Sequence, residues 1–234
     1  MFYLPVFNLN YLVYMLPALL LSLIVQLYVN ASYSRWSQVP NRNGLTGAQV
    51  AQRLADRMGL YGMQLKGSPG RLTDHFDPRD KTLSLSQDIA QTASVASMAI
   101  TAHELGHAQQ DQEDYFPMRL RSALVPAVNI GTTAGWIMIL LGLLLQISGL
   151  AWLGVFAFSA GAVFSIATLP VELNASKRAR QLLQTNGMIT TEEEQRGVNQ
   201  VLNAAAWTYV AAIATSVLQL LYFVSLVGGG RRRR

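Results

Sequence analysis

The chain has 234 residues, 51% hydrophobic and only 13% charged, about half the charged share usual in a soluble protein. With a mean hydropathy of +0.24 it is not a simple globular enzyme, and with no cysteine it is neither a disulfide scaffold nor a thiolate metal site. The formal net charge of +5 is 18 minus 13, but four cations are Arg231, Arg232, Arg233 and Arg234; without them the balance is 14 minus 13, or +1, too little for a nucleic-acid-binding body.

Residues 11–29 carry no charge and are long enough to cross a bilayer, which takes about 20 helical residues. No Lys or Arg precedes Arg35, so the basic start of a signal peptide is missing, and residues 1–30 read as a permanent transmembrane anchor. Tyr28, Tyr33 and Trp36 follow as an interfacial aromatic belt.

Residues 31–122 hold 10 Lys/Arg and 9 Asp/Glu, the mixture of a folded aqueous domain. Thr46 with Gln49 fits a capping box, and Gly59 suits the end of the helix that this box opens. Strand-like runs at 63–66, 72–76 and 81–86 come next, punctuated by Gly70 and the Asp77-Pro78 pair. A long helix is predicted from about Asp88 to Asp111.

That helix contains His103-Glu104-Leu105-Gly106-His107, an HExxH motif. Residues i and i+4 share one helix face about 6 Å apart along the axis, so both imidazoles converge on one ion. Glu104 is rotated off that face and reaches a water without being a ligand. A catalytic zinc takes three protein ligands and keeps one vertex open. Four residues compete for the third place. Asp111 is about 12 Å along the axis from His103, too far for a shared tetrahedral ion. His75, Asp77 and Glu172 all remain open.

Residues 123–147 and 149–169 form two further spans, joined by a tight turn around Ser148 and Gly149. Gly131 and Gly135 make a GxxxG pattern, and Gly142, Gly154 and Gly161 add small faces suited to close packing in lipid. Glu172 follows the third span directly and starts a charged helix to about Thr185; a carboxylate at a membrane interface is costly without a partner. Residues 170–203 form a short polar insert in which Glu192, Glu193 and Glu194 suit the positive end of the next helix. Residues 204–227 make the fourth span, and residues 228–234 a basic tail.

A two-span hairpin puts residues 31–122 and 170–203 on one side of the bilayer. Arg35, Arg42, Arg119, Arg121, Lys177, Arg178 and Arg180 lie near the membrane on that side, so the positive-inside rule places it in the cytoplasm of a cell-membrane protein. The tail then ends on the outer side, against the same rule.

Six ordered segments carry a family resemblance: GLTGA at 44–48, LTDHFDP at 72–78, AHELGHA at 102–108, RSALVP at 121–126, LPVELNAS at 169–176 and VLNAAA at 201–206. In them the chain resembles the YugP-type family of membrane-bound neutral zinc metallopeptidases. The resemblance implies a gluzincin arrangement, distantly similar to HtpX and the CAAX prenyl proteases. The expected architecture is a mainly α membrane protein: four transmembrane helices with a small α+β zincin-like cytoplasmic domain carrying the HExxH helix. It also implies Zn2+ held by His103, His107 and a Glu from a later helix, which here is Glu172. The relatives carry an Asp four residues after that Glu to orient a ligand histidine; this chain has Ser176, a hydroxyl without charge. By analogy, 72–76 or 81–86 binds extended substrate by strand addition, and His75 either stabilises the oxyanion or is a structural histidine hydrogen-bonded to Asp74 or Asp77.

The resulting expectation is a zinc metalloendopeptidase acting on peptides or membrane proteins at the lipid bilayer, with Glu104 and His75 as catalytic residues. A catalytically silent membrane scaffold or regulator of other membrane proteins, with the zinc absent or structural and closed by a fourth protein ligand, is the alternative. A transporter fits poorly, because the spans contain no ionised residue and no inverted pair of broken helices.

Overall fold

A computed structural model describes residues 9–229; the expectations for the first eight residues and for the tail from Gly230 onward lie outside the described residues. The chain is mainly helical, with elements in the order α1 (Leu9–Ser37), α2 (Gly47–Met58), β1 (Gln64–Ser68), β2 (His75–Asp77), β3 (Thr82–Ser86), α3 (Gln87–Gln91), α4 (Val95–Gln112), α5 (Phe116–Leu144), α6 (Ser148–Thr185) and α7 (Glu192–Gly229). Four of these, α1, α5, α6 and α7, are long and apolar enough to cross a membrane. The turn between α5 and α6 falls at 145–147, slightly earlier than expected, with Gln146 in the left-handed conformation at φ 59°.

The chain divides into two compact units. One comprises Met1–Val25, Leu120–Leu169 and Thr208–Arg234. Its core is small: Ile139, Ala151, Val155, Tyr222, Phe223 and Val227. The small faces seen in the sequence lie at helix contacts. A Cβ added at Gly135 would lie 2.6 Å from Phe158 N, and one at Gly142 would lie 2.4 Å from Ala151 N. Many larger apolar side chains point outward, among them Ile130, Leu153 and Phe156, as lipid-facing helices require.

The other unit comprises Gln26–Arg119 and Pro170–Trp207. The capping box on α2 forms as expected: Thr46 accepts from the Gln49 amide while the Gln49 side chain accepts from the Thr46 amide, and Gly59 ends the helix at φ 70°. The three strands make one sheet in the order β1-β3-β2, with β1 parallel and β2 antiparallel to β3. The central strand β3 covers most of the 81–86 run, so that run is not an edge; the 72–76 run shrinks to β2, because Leu72 turns left-handed at φ 56°.

The single long helix expected over 88–111 is two helices. Thr92 leaves helical geometry, and Ser94 caps α4 by accepting from the Ser97 amide at 3.1 Å. The break is stabilised from outside: Val95 N–H donates to the Val39 carbonyl, and Asn41 N–H to that of Ala93. Short polar side chains here bond locally and favour the cap over a continuous helix. Beyond the break, α4 is buried on nearly every side, packed among Val50, Leu54, Leu83, Leu85, Ile89 and Leu202.

Tyr33 and Trp36 also belong to this core, 6% and 3% exposed, rather than to an interfacial belt. Trp36 Nε1 donates to Gln200 Oε1 at 2.8 Å, and the Arg71 guanidinium lies 4.5 Å from the Tyr33 ring centre. Tertiary packing took both rings; of the three residues expected in a belt, Tyr28 is exposed, at 37%.

Candidate metal centre

The helix α4 presents His103, Glu104 and His107 within two turns, and α6 crosses it at Gly106. A Cβ at that glycine would lie 2.5 Å from the Ala175 carbonyl oxygen. The two backbones therefore touch between the two histidines, and the preceding turn of α6 delivers Glu172. The ring centres of His103 and His107 are 4.9 Å apart at 84°.

Glu172 Oε2 lies 3.2 Å from His103 Nε2 and 3.3 Å from His107 Nε2. The three donor atoms all lie within 4.8 Å of one another. Zinc binds His nitrogen and carboxylate oxygen at about 2.0–2.1 Å, and a tetrahedron of that size has edges of about 3.3 Å. Both carboxylate–imidazole separations match such an edge. The three residues are also 9%, 8% and 2% exposed, so an ion held there is shielded from water on the protein side. The donor set, its spacing and its burial all fit zinc.

Glu104 stands beside this trio with its carboxylate free of it. Its Oε2 accepts from the Phe76 amide at 3.1 Å, which ties the carboxylate to strand β2. Burial pushes the Glu104 carboxyl above its ordinary value, against the opposing pull of His103 and His107. His107 is also raised: burial disfavours its charge most, but the Glu172 and Glu104 carboxylates and the Gln110 hydrogen bond together outweigh that penalty.

Of the residues singled out in the sequence, the fold brings His103, His107, Glu104 and Glu172 together. Ser176 joins them, with Oγ 3.2 Å from His103 Nδ1. Asp111 pairs with Lys81 instead. Asp77 pairs with Arg79, whose hydrogen bonds hold its carboxyl down at about 2. His75 is exposed on β2 and hydrogen-bonds through Nδ1 to the Thr73 carbonyl at 2.9 Å, rather than to Asp74 or Asp77. Asp74 is engaged by the backbone and side chain of Ser86.

Two residues of the site had escaped notice in the sequence. Gln110 approaches His107 Nδ1 with Oε1 at 3.0 Å, and Phe76 supplies the amide to Glu104. A signal for Gln110 existed: it stands three positions after His107 on the same helix, within side-chain reach. Nothing local marks Phe76, since its part is played by a backbone amide.

The pattern of a family described as "Putative neutral zinc metallopeptidase" matches residues 11–228. The chain is 41% identical over 216 residues to "Putative membrane protease YugP" of Bacillus subtilis (strain 168), covering 92% of this chain and 96% of that protein. No solved structure matches. The relative's name and the four apolar helices together point to a multi-pass membrane protein. With nearly its whole length matched, the chain belongs to the family described as "Putative neutral zinc metallopeptidase", and two imidazoles and a carboxylate meet in it where they could hold a metal ion.

Proposed function

We propose that the chain is an integral-membrane zinc metalloendopeptidase that hydrolyses peptide bonds of peptides or membrane proteins near the cytoplasmic membrane surface. His103, His107 and Glu172 would hold the ion. When bound, zinc supplies Lewis acidity that lowers the pKa of water towards about 7 and polarises a carbonyl. Glu104 takes a proton from the attacking water and returns it to the leaving amine. Its raised basicity suits that task, because a buried carboxylate binds a proton more readily than an exposed one.

The observation that carries the reading is the carboxylate of Glu104, held by the Phe76 amide beside a three-donor cluster to which it does not belong. Among the described residues, no fourth His, Cys, Asp or Glu joins that cluster, and His75 and Asp77 have other partners. This supports a catalytic site, which needs an open vertex, over a closed structural one. The edge strand β2 is the proposed seat of extended substrate, placed by its Phe76 amide beside Glu104. His75 would support the oxyanion from β2, its ring held by the Thr73 carbonyl. The cytoplasmic orientation rests on the juxtamembrane cations, and the surface location on Glu172 standing just past the apolar part of α6.

The test is Glu104→Gln in the purified full-length protein. Removing a proton acceptor of this kind should cost at least about 100-fold in turnover of a casein-like or membrane-protein substrate. Zinc content should stay at the wild-type level. Unchanged turnover would refute the mechanism.

A further inference from the structure

We propose that Gln110 is a positioning residue of the metal centre: one buried carboxamide that fixes the tautomer of His107 and ties the Val171–Glu172 backbone of α6 to α4. The inference rests on the function proposed above, since it concerns how this chain prepares its zinc ligands.

Arg178 is a donor only, and its Nε lies 2.7 Å from an amide atom of Asn174, which must therefore be the oxygen Oδ1. The same oxygen lies 2.9 Å from one end of the Gln110 carboxamide, and the Val171 carbonyl lies 2.8 Å from that end. Neither oxygen can donate, so that end of Gln110 must be the NH2 group. Its other end is then Oε1, an acceptor, 3.0 Å from His107 Nδ1. His107 must carry a hydrogen on Nδ1, which leaves Nε2, facing Glu172, as the nitrogen available to an ion. Reversing the carboxamide would set one oxygen against two others in a site where Gln110 is fully buried.

His103 is held differently. Its Nδ1 meets the Ser176 hydroxyl, which donates or accepts with equal ease and so fixes no tautomer. The centre thus has one imidazole set by a chain of hydrogen bonds anchored on Arg178 and a second that adapts. Arg178 is itself anchored, by Glu113 at 2.7 Å and by the Tyr115 ring. Because Val171 immediately precedes Glu172, the same carboxamide also sets where the third ligand sits. Two of the three ligands depend on one side chain.

The experiment measures zinc affinity of the full-length protein by competition with a chromophoric chelator, together with 15N spectra of the zinc-free, histidine-labelled protein. The chain has only three histidines, so the signals are few. Gln110→Met, of similar length and without polar atoms, should bind zinc about 10–100-fold more weakly. Wild-type His107 should show a hydrogen on Nδ1, and the variant should shift towards Nε2–H. Equal affinity in Gln110→Met, or a bare Nδ1 in the wild type, would overturn the proposal. Should that variant fail to fold, Asn174 decides: Asn174→Asp keeps both acceptor roles and should bind zinc normally, whereas Asn174→Leu should bind more weakly. Equal affinities of those two overturn it. A wild-type chain that binds no zinc would instead refute the proposed function.

Discussion

Helices approach closely at glycine in both units, but to different ends. In the apolar unit, a Cβ at Gly135, Gly142 or Gly154 would lie 2.4 to 2.6 Å from backbone nitrogen of the facing helix. In the polar unit, a Cβ at Gly106 would lie 2.5 Å from the Ala175 carbonyl oxygen. The distances are alike and the consequences differ. Lipid-facing helices gain no hydrophobic drive by associating, so close packing at small residues is itself the glue. The polar unit has a drive of its own in the burial of Leu54, Leu83, Leu85, Ile89 and Leu105. There Gly106 sets a distance: it allows α6 near enough for the Glu172 carboxylate to meet both imidazoles.

Five substitutions break or sharpen this contrast. Glu172→Ala removes a proposed ligand and should weaken zinc by more than about 100-fold, since outer partners alone cost about 10–100-fold; His75→Ala should leave it unchanged, and metal analysis after dialysis reads both. Gly106→Ala comes next. The carbonyl it meets belongs to backbone, so α6 must shift, and chelator competition should show zinc bound about 10–100-fold more weakly. Normal affinity in Gly106→Ala would erase the distinction between the two glycine contacts.

Gly142→Ala should act on stability alone. Overpacking costs about 1–3 kcal/mol, and alanine's better helix propensity returns about 1 kcal/mol, so a net loss of up to about 2 kcal/mol remains. Thermal unfolding in detergent should register that loss with zinc affinity unchanged; a fall in affinity would break the contrast from the other side. The smallest effect belongs to Thr46→Ala. Losing this cap should cost about 1 kcal/mol and lower the unfolding midpoint slightly without touching the metal centre.

Much of this was legible in the sequence wherever the determinant lies within one helical turn. The Thr46–Gln49 box, the Gly59 terminus and the His103–His107 spacing are all such features, and each has the expected local form. The four apolar stretches were legible for a related reason: spanning a bilayer constrains composition directly. What escaped had partners elsewhere in the chain. Tyr33 and Trp36 looked like an interfacial belt until packing on a distant segment buried them, as the bond to Gln200 illustrates. The interruption at Thr92 depends on Val39 and Asn41, far upstream.

The sequence by itself determined that two imidazoles share a helix face with a carboxylate beside them, because helical geometry converts a spacing of four into proximity. Only the tertiary structure decided that Glu172, 69 residues from His103, closes the trio and that Gln110 stands behind His107. Such a meeting is set by the crossing of α4 and α6 at Gly106, and the angle and depth of a helix crossing are properties of two packed surfaces, which neither segment encodes alone.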